Sequence, residues 1–258
     1  MEQKIERQIP QWKIKMFEKL IQIDQNVEKT YIPNQVTDIF PPGIDIEGYR
    51  KVLKEVISLL KEYMEEEIKT LGELEEIASA EEEGEDSRLQ RIFSQITIKN
   101  GSFELEQFTN PSYAKTVLIY SLKPFLKVYG KQVTKNNDIH EWKSGHCPVC
   151  GHNAVFARLS GKENGKRYLL CPLCETQWPF NRIACPFCLE KDPEKLGYFK
   201  IEEEKKFNGY KVNFCLTCNG YIKTYDERSG SLLKDNILIE DAETSYLDYL
   251  AQKEGFQR

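Results

Sequence analysis

Eight cysteines, all in Cys-x-x-Cys pairs, are the residues whose type and spacing could do chemistry: Cys147/Cys150, Cys171/Cys174, Cys185/Cys188 and Cys215/Cys218. No cysteine lies outside this pattern, and the first 146 residues contain none. Four pairs supply ligands for two four-thiolate metal sites with nothing left over. Soft thiolates in tetrahedral array suit zinc or a rubredoxin-type iron, and the donor set alone does not choose between them. A metal with four protein ligands has no open position for a substrate, so such sites are structural or redox-active rather than hydrolytic. A thioredoxin-like dithiol is the rival for any single pair, but no βαβ pattern surrounds one. His146 precedes Cys147 and reads as an ordinary loop histidine, with His140 and His152 the only others. The chain carries no Gly-x-Ser-x-Gly, Walker or dinucleotide fingerprint. The expectation is a protein that is not an enzyme.

The segments between the cysteines say how they group. Residues Ala154 to Leu159 and Lys166 to Leu170 flank a glycine-rich turn, Gly161-Lys162-Glu163-Asn164-Gly165, and read as a hairpin. Its ends return to one place, which brings Cys147, Cys150, Cys171 and Cys174 together. Leu196, Tyr198 and Lys200 pair with Tyr210, Val212 and Phe214 around Asn208-Gly209, a strong hairpin signal. This second hairpin does the same for Cys185, Cys188, Cys215 and Cys218. Spacing alone leaves cross-braced and nested groupings open. Gly151 after Cys150, and Asn219 after Cys218, can take positive φ and turn N–H groups toward sulfur. Glu175 and Leu189 hold the equivalent places after Cys174 and Cys188, and predict less ideal knuckles there.

The residues before the first cysteine read as helices. Ile5, Ile9, Trp12, Met16, Leu20, Ile23 and Val27 form one apolar stripe. Residues 46–68 repeat it with Leu53, Val56, Leu60 and Tyr63; Gly72 is the expected break, and Leu74 and Ile77 resume the helix. Pro33, Pro41, Pro42 and Gly43 punctuate a loop, Glu81 to Asp86 reads as a solvated linker, and Leu89, Ile92, Phe93 and Ile96 mark a short helix. Asn110-Pro111 is a start signal for a helix carrying Tyr113, Val117, Leu118, Leu122, Phe125 and Tyr129, kinked at Pro124 and closed by Gly130. These stripes read as the core of a helical bundle rather than a partner groove. A last helix is expected from about Asp241, as its cap, to Gly255. The fold class is α+β: an N-terminal α-helical domain at 1–140, a first four-cysteine rubredoxin-like or zinc-ribbon module at 141–183, and a second at 184–258 with the C-terminal helix.

Composition bounds the class. Of 258 residues, 40% are hydrophobic and 30% charged, which describes a globular protein. No stretch approaches the ~18 apolar residues that span a bilayer, and no signal-peptide core follows the N-terminus. The expected compartment is the cytoplasm, where Cys-x-x-Cys clusters more often bind metal than form disulfides. Up to Asp138 there are 19 Lys+Arg against 24 Asp+Glu; from Glu141 onward there are 17 of each. Four thiolates on a divalent ion add further negative charge, so a zinc-ribbon nucleic-acid binder lacks its cationic footprint. Lys162, Lys166 and Arg167 read as a solvated hairpin tip.

The cysteines sit in specific surroundings. Cys147-Pro-Val-Cys-Gly151 is followed by Arg167-Tyr-Leu-Leu-Cys-Pro-Leu-Cys-Glu-Thr-Gln-Trp178, then by Arg182 and Cys185-Pro-Phe-Cys188. Cys215-Leu-Thr-Cys218 leads into Gly220-Tyr-Ile-Lys-Thr-Tyr225, and Leu247-Asp-Tyr-Leu-Ala-Gln-Lys-Glu-Gly-Phe256 comes near the end. In these motifs the chain resembles the family of the formate dehydrogenase accessory protein FdhE. The resemblance covers the C-terminal half in order; the helical half matches in size and position with few distinctive residues. It implies a cytoplasmic assembly factor for respiratory formate dehydrogenases, linked to iron, that contacts the catalytic subunit before export. It implies two ions, iron or zinc: one at Cys147, Cys150, Cys171 and Cys174, the other at Cys185, Cys188, Cys215 and Cys218. The partner is then the catalytic subunit of formate dehydrogenase, with no nucleic acid and no membrane insertion, and a homodimer is left open. Trp178 and Arg182, between the two sites, are expected to support the ligands or an interface, with core packing an equal alternative for Trp178. The rival readings are a rubredoxin-like redox or oxygen-sensing protein and, behind it, a zinc-ribbon nucleic-acid binder.

Overall fold

A computed structural model describes residues 44–80, 87–97, 105–136, 138–201, 205–229 and 237–258, with short pieces between 12 and 23. The first predicted stripe is helical wherever it is described, and buries Met16 and Leu20. Ile5, Ile9, Val27, the proline-rich loop and the acidic run at Glu81 to Asp86 lie outside the described residues. The chain divides into two compact units, one at Gln11–Val133 and one containing Thr134–Arg258.

The first unit is helical. Asp45 opens the helix Ile46–Lys61 by accepting hydrogen bonds from the N–H groups of Glu47 and Gly48, at 3.4 and 2.9 Å. The chain breaks after Lys61, ahead of the predicted break at Gly72. It turns through Glu65–Glu67 and then runs straight through Gly72 in the helix Ile68–Ser79. A glycine inside a helix costs only about 1 kcal/mol, and burial of Leu71, Leu74 and Ile77 on one face outweighs it. Arg50 ties the two helices, donating to the carbonyl oxygens of Ala78 and Ala80 at 3.0 Å each. A cation suits that helix end, where carbonyls lack intrahelical partners. The helix Arg88–Thr97 buries Leu89, Ile92 and Phe93. Asn110 caps the helix Pro111–Asn136 through the N–H of Tyr113 at 3.1 Å. That helix passes Pro124 and does not stop at Gly130, because burial of Leu126 and Tyr129 carries it past a residue that is only a weak stop.

The second unit is built on one six-stranded sheet with strand order β3-β2-β1-β6-β5-β4. The strands are β1 Phe156–Leu159, β2 Arg167–Leu170, β3 Gln177–Phe180, β4 Leu196–Phe199, β5 Tyr210–Cys215 and β6 Tyr221–Asp226. Both predicted hairpins form: β1 pairs antiparallel with β2, Phe156 opposite Leu170, and β4 with β5, Leu196 opposite Cys215. Each gains a third strand that the periodicity did not mark. β3 pairs with β2, and β6 pairs with β5. The two three-stranded pieces join because β1 and β6 run parallel, Phe156 opposite Lys223 and Leu159 opposite Asp226. The sheet is therefore continuous through both cysteine modules.

The predicted C-terminal helix is two helices, Ile237–Glu243 and Ser245–Lys253, separated at Thr244. Asp241 lies inside the first of them rather than capping a helix. Its carboxylate instead meets Lys223 at 2.8 Å and Arg258 at 2.6 Å. Lys223 is wholly buried on β6 and also meets Asp248 at 2.6 Å, which is how a charge survives in an interior. Leu247 and Ala251 pack on Phe207, Val212 and Tyr221.

Candidate metal centres

The sequence forms the same knuckle four times. In each, the N–H of the first cysteine donates to the carbonyl oxygen five residues on: Cys147 to His152, Cys171 to Thr176, Cys185 to Glu190, and Cys215 to Gly220, at 2.8 to 3.0 Å. The residue after the second cysteine takes positive φ every time: Gly151 at 73°, Glu175 at 57°, Leu189 at 63° and Asn219 at 55°. Glu175 and Leu189, expected to make less ideal knuckles, take the same left-handed conformation as Gly151 and Asn219. The loop imposes the left-handed conformation on them, at a strain of order 1 kcal/mol each. The turn leaves an N–H facing sulfur, with Val149 donating to Cys147 Sγ and Phe187 to Cys185 Sγ, both at 3.4 Å.

The structure groups the cysteines in sequence order. Cys147, Cys150, Cys171 and Cys174 have their sulfurs within 4.8 Å of one another, as do Cys185, Cys188, Cys215 and Cys218. Cys147 and Cys174 are 3.4 Å apart, Cys150 and Cys171 3.3 Å; Cys185 and Cys218 are 3.6 Å apart, Cys188 and Cys215 3.7 Å. All eight thiols are free, and these sulfur pairs stand well beyond the roughly 2 Å of a disulfide bond. A tetrahedral ion with metal–sulfur bonds of about 2.3 Å spaces its sulfurs at about 3.8 Å. Both quartets fit such an ion by donor type, number and spacing, and each could hold zinc or iron.

Burial opposes charge at Cys147, yet the thiols of Cys150, Cys171 and Cys174 donate to it and hold it far below an ordinary thiol. Cys150 is pushed up chiefly through Cys147, and Cys171 by burial. In the second quartet burial again opposes charge at Cys215, but the backbone N–H groups of Cys218 and Thr217 pull it down. Cys185 and Cys218 are pushed up by burial. An entering ion must displace the remaining protons, so occupancy weakens with acid.

Glu190 braces the second quartet. Its carboxylate is held down to about 2, first by the N–H of Asp192 and then by the hydroxyl of Thr217. Thr217 lies between Cys215 and Cys218 and donates to Glu190 at 2.7 Å, so this side chain ties two knuckles together. Sequence reasoning missed Glu190; its place two residues past a cysteine was the available signal. Trp178 is fully buried and donates from Nε1 to the carbonyl oxygen of Ser144 at 3.0 Å, a packing role. Arg182 is exposed. His146 belongs to neither quartet, and its carbonyl accepts from Trp142 Nε1 at 2.7 Å. Arg167 is buried, which corrects the solvated-tip reading for that residue: β2 turns its side chain inward, while Lys162 and Lys166 stay exposed.

The two quartets are neighbours. A Cβ at Gly145, two residues before Cys147, would stand 1.7 Å from the carbonyl oxygen of Pro186, which follows Cys185. Only glycine permits that approach.

Comparison with known proteins places the chain. The family profile described as "FdhE, central domain" matches residues 146–182, the span of the first quartet. A "Protein FdhE homolog" of Aquifex aeolicus (strain VF5) is 30% identical over 154 residues, covering 59% of this chain and 52% of that protein. A "Protein FdhE homolog" of Haemophilus influenzae (strain PittEE) is 27% identical over 214 residues, covering 81% of this chain and 64% of that protein. The chain thus spans about half to just under two thirds of these relatives. The crystal structure of the FdhE protein from Pseudomonas aeruginosa superposes with a TM-score of 0.56 at 18% identity, covering 93% of this chain and 83% of that one, a likeness of fold. Among the described residues no helix is long and apolar enough to cross a membrane.

Proposed function

We propose, for a chain that belongs to the FdhE family, the role of a cytoplasmic accessory protein in formate dehydrogenase assembly. It binds the catalytic subunit and catalyses no reaction itself. Residues 1–140 act as a helical domain, and 141–183 and 184–258 as two metal modules. Cys147, Cys150, Cys171 and Cys174 hold one ion of iron or zinc, and Cys185, Cys188, Cys215 and Cys218 the other. The observation that carries the reading is a complete quartet within residues 146–182, the stretch matched by the FdhE central-domain profile, with a second complete quartet following it. Such an ion supplies fold stability, and, if iron, one-electron chemistry. The test is affinity purification of the tagged full chain from cells with and without formate dehydrogenase. The catalytic subunit is expected to co-purify from the first alone, and its absence there sinks the assignment.

One observation favours a second reading, a rubredoxin-like redox or oxygen-sensing protein: Cys188 and Cys218 are exposed. A site open to solvent exchanges ions and meets oxidants more readily than a covered one. Metal analysis of anaerobically purified protein separates the two. Iron with a visible band that bleaches reversibly on reduction supports the redox reading, and stoichiometric zinc removes it.

A further inference from the structure

Arg167 is 4% exposed. Its Nη1 donates to the carbonyl oxygen of Ala184 at 2.9 Å, while Nε and Nη2 are buried with no hydrogen-bond partner. Burial pulls its guanidinium down to about 10, partly offset by Cys185. Neither orphaned nitrogen bonds to that sulfur. Two buried guanidinium nitrogens without an acceptor call for one in the cavity they border, because arginine does not escape by shedding its proton.

Arg167 lines a cavity of about 160 Å³ with Arg182, Asn213, Ile183, Tyr198 and Phe214, and Cys185 and Cys215 of the second quartet border it. Arg182 is exposed, and no carboxylate among the described residues pairs with it. Its Nη1 would lie 3.1 Å from a Cβ placed on Gly165, and Arg228 approaches the same point. Arg228 is taken by Asp226 at 2.6 Å. Lys211, half-buried, is pulled down first by burial and also by Arg182, Arg167 and Arg228, against the opposing pull of Asp226. Arg167, Arg182 and Asn213 thus offer donors to the cavity, and its walls are about equally polar and apolar.

We propose that this cavity binds a carboxylate carried on an apolar body, with the anion between Arg167 and Arg182 and the body against Ile183, Tyr198 and Phe214. A sulfate-like oxyanion fits less well, since a carboxylate offers its two oxygens to the two guanidinium groups while a sulfate leaves further oxygens to satisfy. The carboxylate comes from a free small acid or from a polypeptide.

Isothermal titration of the metal-loaded full chain with 3-phenylpropionate, at fixed ionic strength, tests this without any formate dehydrogenase subunit. Saturable binding at one site is expected. Arg182→Gln, at an exposed position, is expected to keep both metal equivalents and weaken binding about tenfold or more. 3-Phenylpropanol, which has the same body without charge, is expected not to bind. Acetyl-Gly-Gly-Phe with a free C-terminus identifies the source: tighter binding than 3-phenylpropionate assigns the carboxylate to a polypeptide, and equal or weaker binding to a small acid. The proposal is overturned if neither acid binds, if Arg182→Gln binds equally well, if the alcohol matches the acid, or if sulfate binds more tightly than both.

Discussion

The two cysteine quartets share one local design and differ in cover. In the first, all four cysteines are buried, with Cys174 Sγ also within 3.2 Å of the Thr176 hydroxyl. In the second, Cys188 and Cys218 are exposed, and so are Leu189 and Leu216 at the knuckle tips. Knuckle geometry is set within six residues and recurs wherever the loop recurs. Cover is set by the rest of the sheet, and it decides how firmly an ion is kept. An ion in the first quartet is therefore expected to be released more slowly than one in the second.

The largest effect is expected from removing ligands. Cys147→Ser with Cys150→Ser should release one metal equivalent, leave the other, and cost most of the roughly 10 kcal/mol that a structural ion supplies to a small module. Cys185→Ser with Cys188→Ser should release the other equivalent with a smaller loss of thermal stability. Metal analysis and calorimetric melting check both, and loss of two ions from the first variant contradicts the sequential grouping. Next comes Asp248→Ala, which strips a partner from buried Lys223 on β6 and should cost about 3 kcal/mol in urea unfolding. Because β6 adjoins both halves of the sheet, that loss should weaken ion retention at both quartets; weakening at one alone argues against coupling through β6. A chelator added to the metal-loaded protein should remove one ion at least about tenfold faster than the other, since burial makes release wait for local opening. Assigning the fast ion with the two double variants tests whether it is the second. The smallest effect is expected from Leu189→Gly, which should relieve left-handed strain and raise stability by about 0.5–1 kcal/mol. An unchanged melting temperature would show that no strain resides there.

Much of this was legible in the sequence, for local reasons. Alternating apolar residues around Asn208-Gly209 and the glycine-rich turn at Gly161 gave the hairpins, and the hairpins gave the grouping of cysteines. Asn110-Pro111 marked a helix start because a cap is a short-range device. The parallel contact of Phe156 with Lys223 was not legible: it joins residues far apart in the chain, and no periodicity within either strand records it. Lys223 and Arg167 were hidden for a related reason. Each reads as surface by type and is buried because the sheet brings cover or partners from elsewhere. Left-handed Glu175 and Leu189 escaped because residue preference is weaker than the closure of a loop around four sulfurs.

The parallel pairing of β1 with β6 also sets an order of events at the ribosome. When the first quartet has emerged, β1 has β2 on one side and a bare row of amides and carbonyls on the other, the kind of edge that recruits foreign strands. The segment that seals it, Tyr221–Asp226, begins only three residues beyond Cys218. Completion of the second knuckle pair therefore delivers the closing strand, so a nascent chain starved of metal at its second quartet leaves its first one open to aggregation.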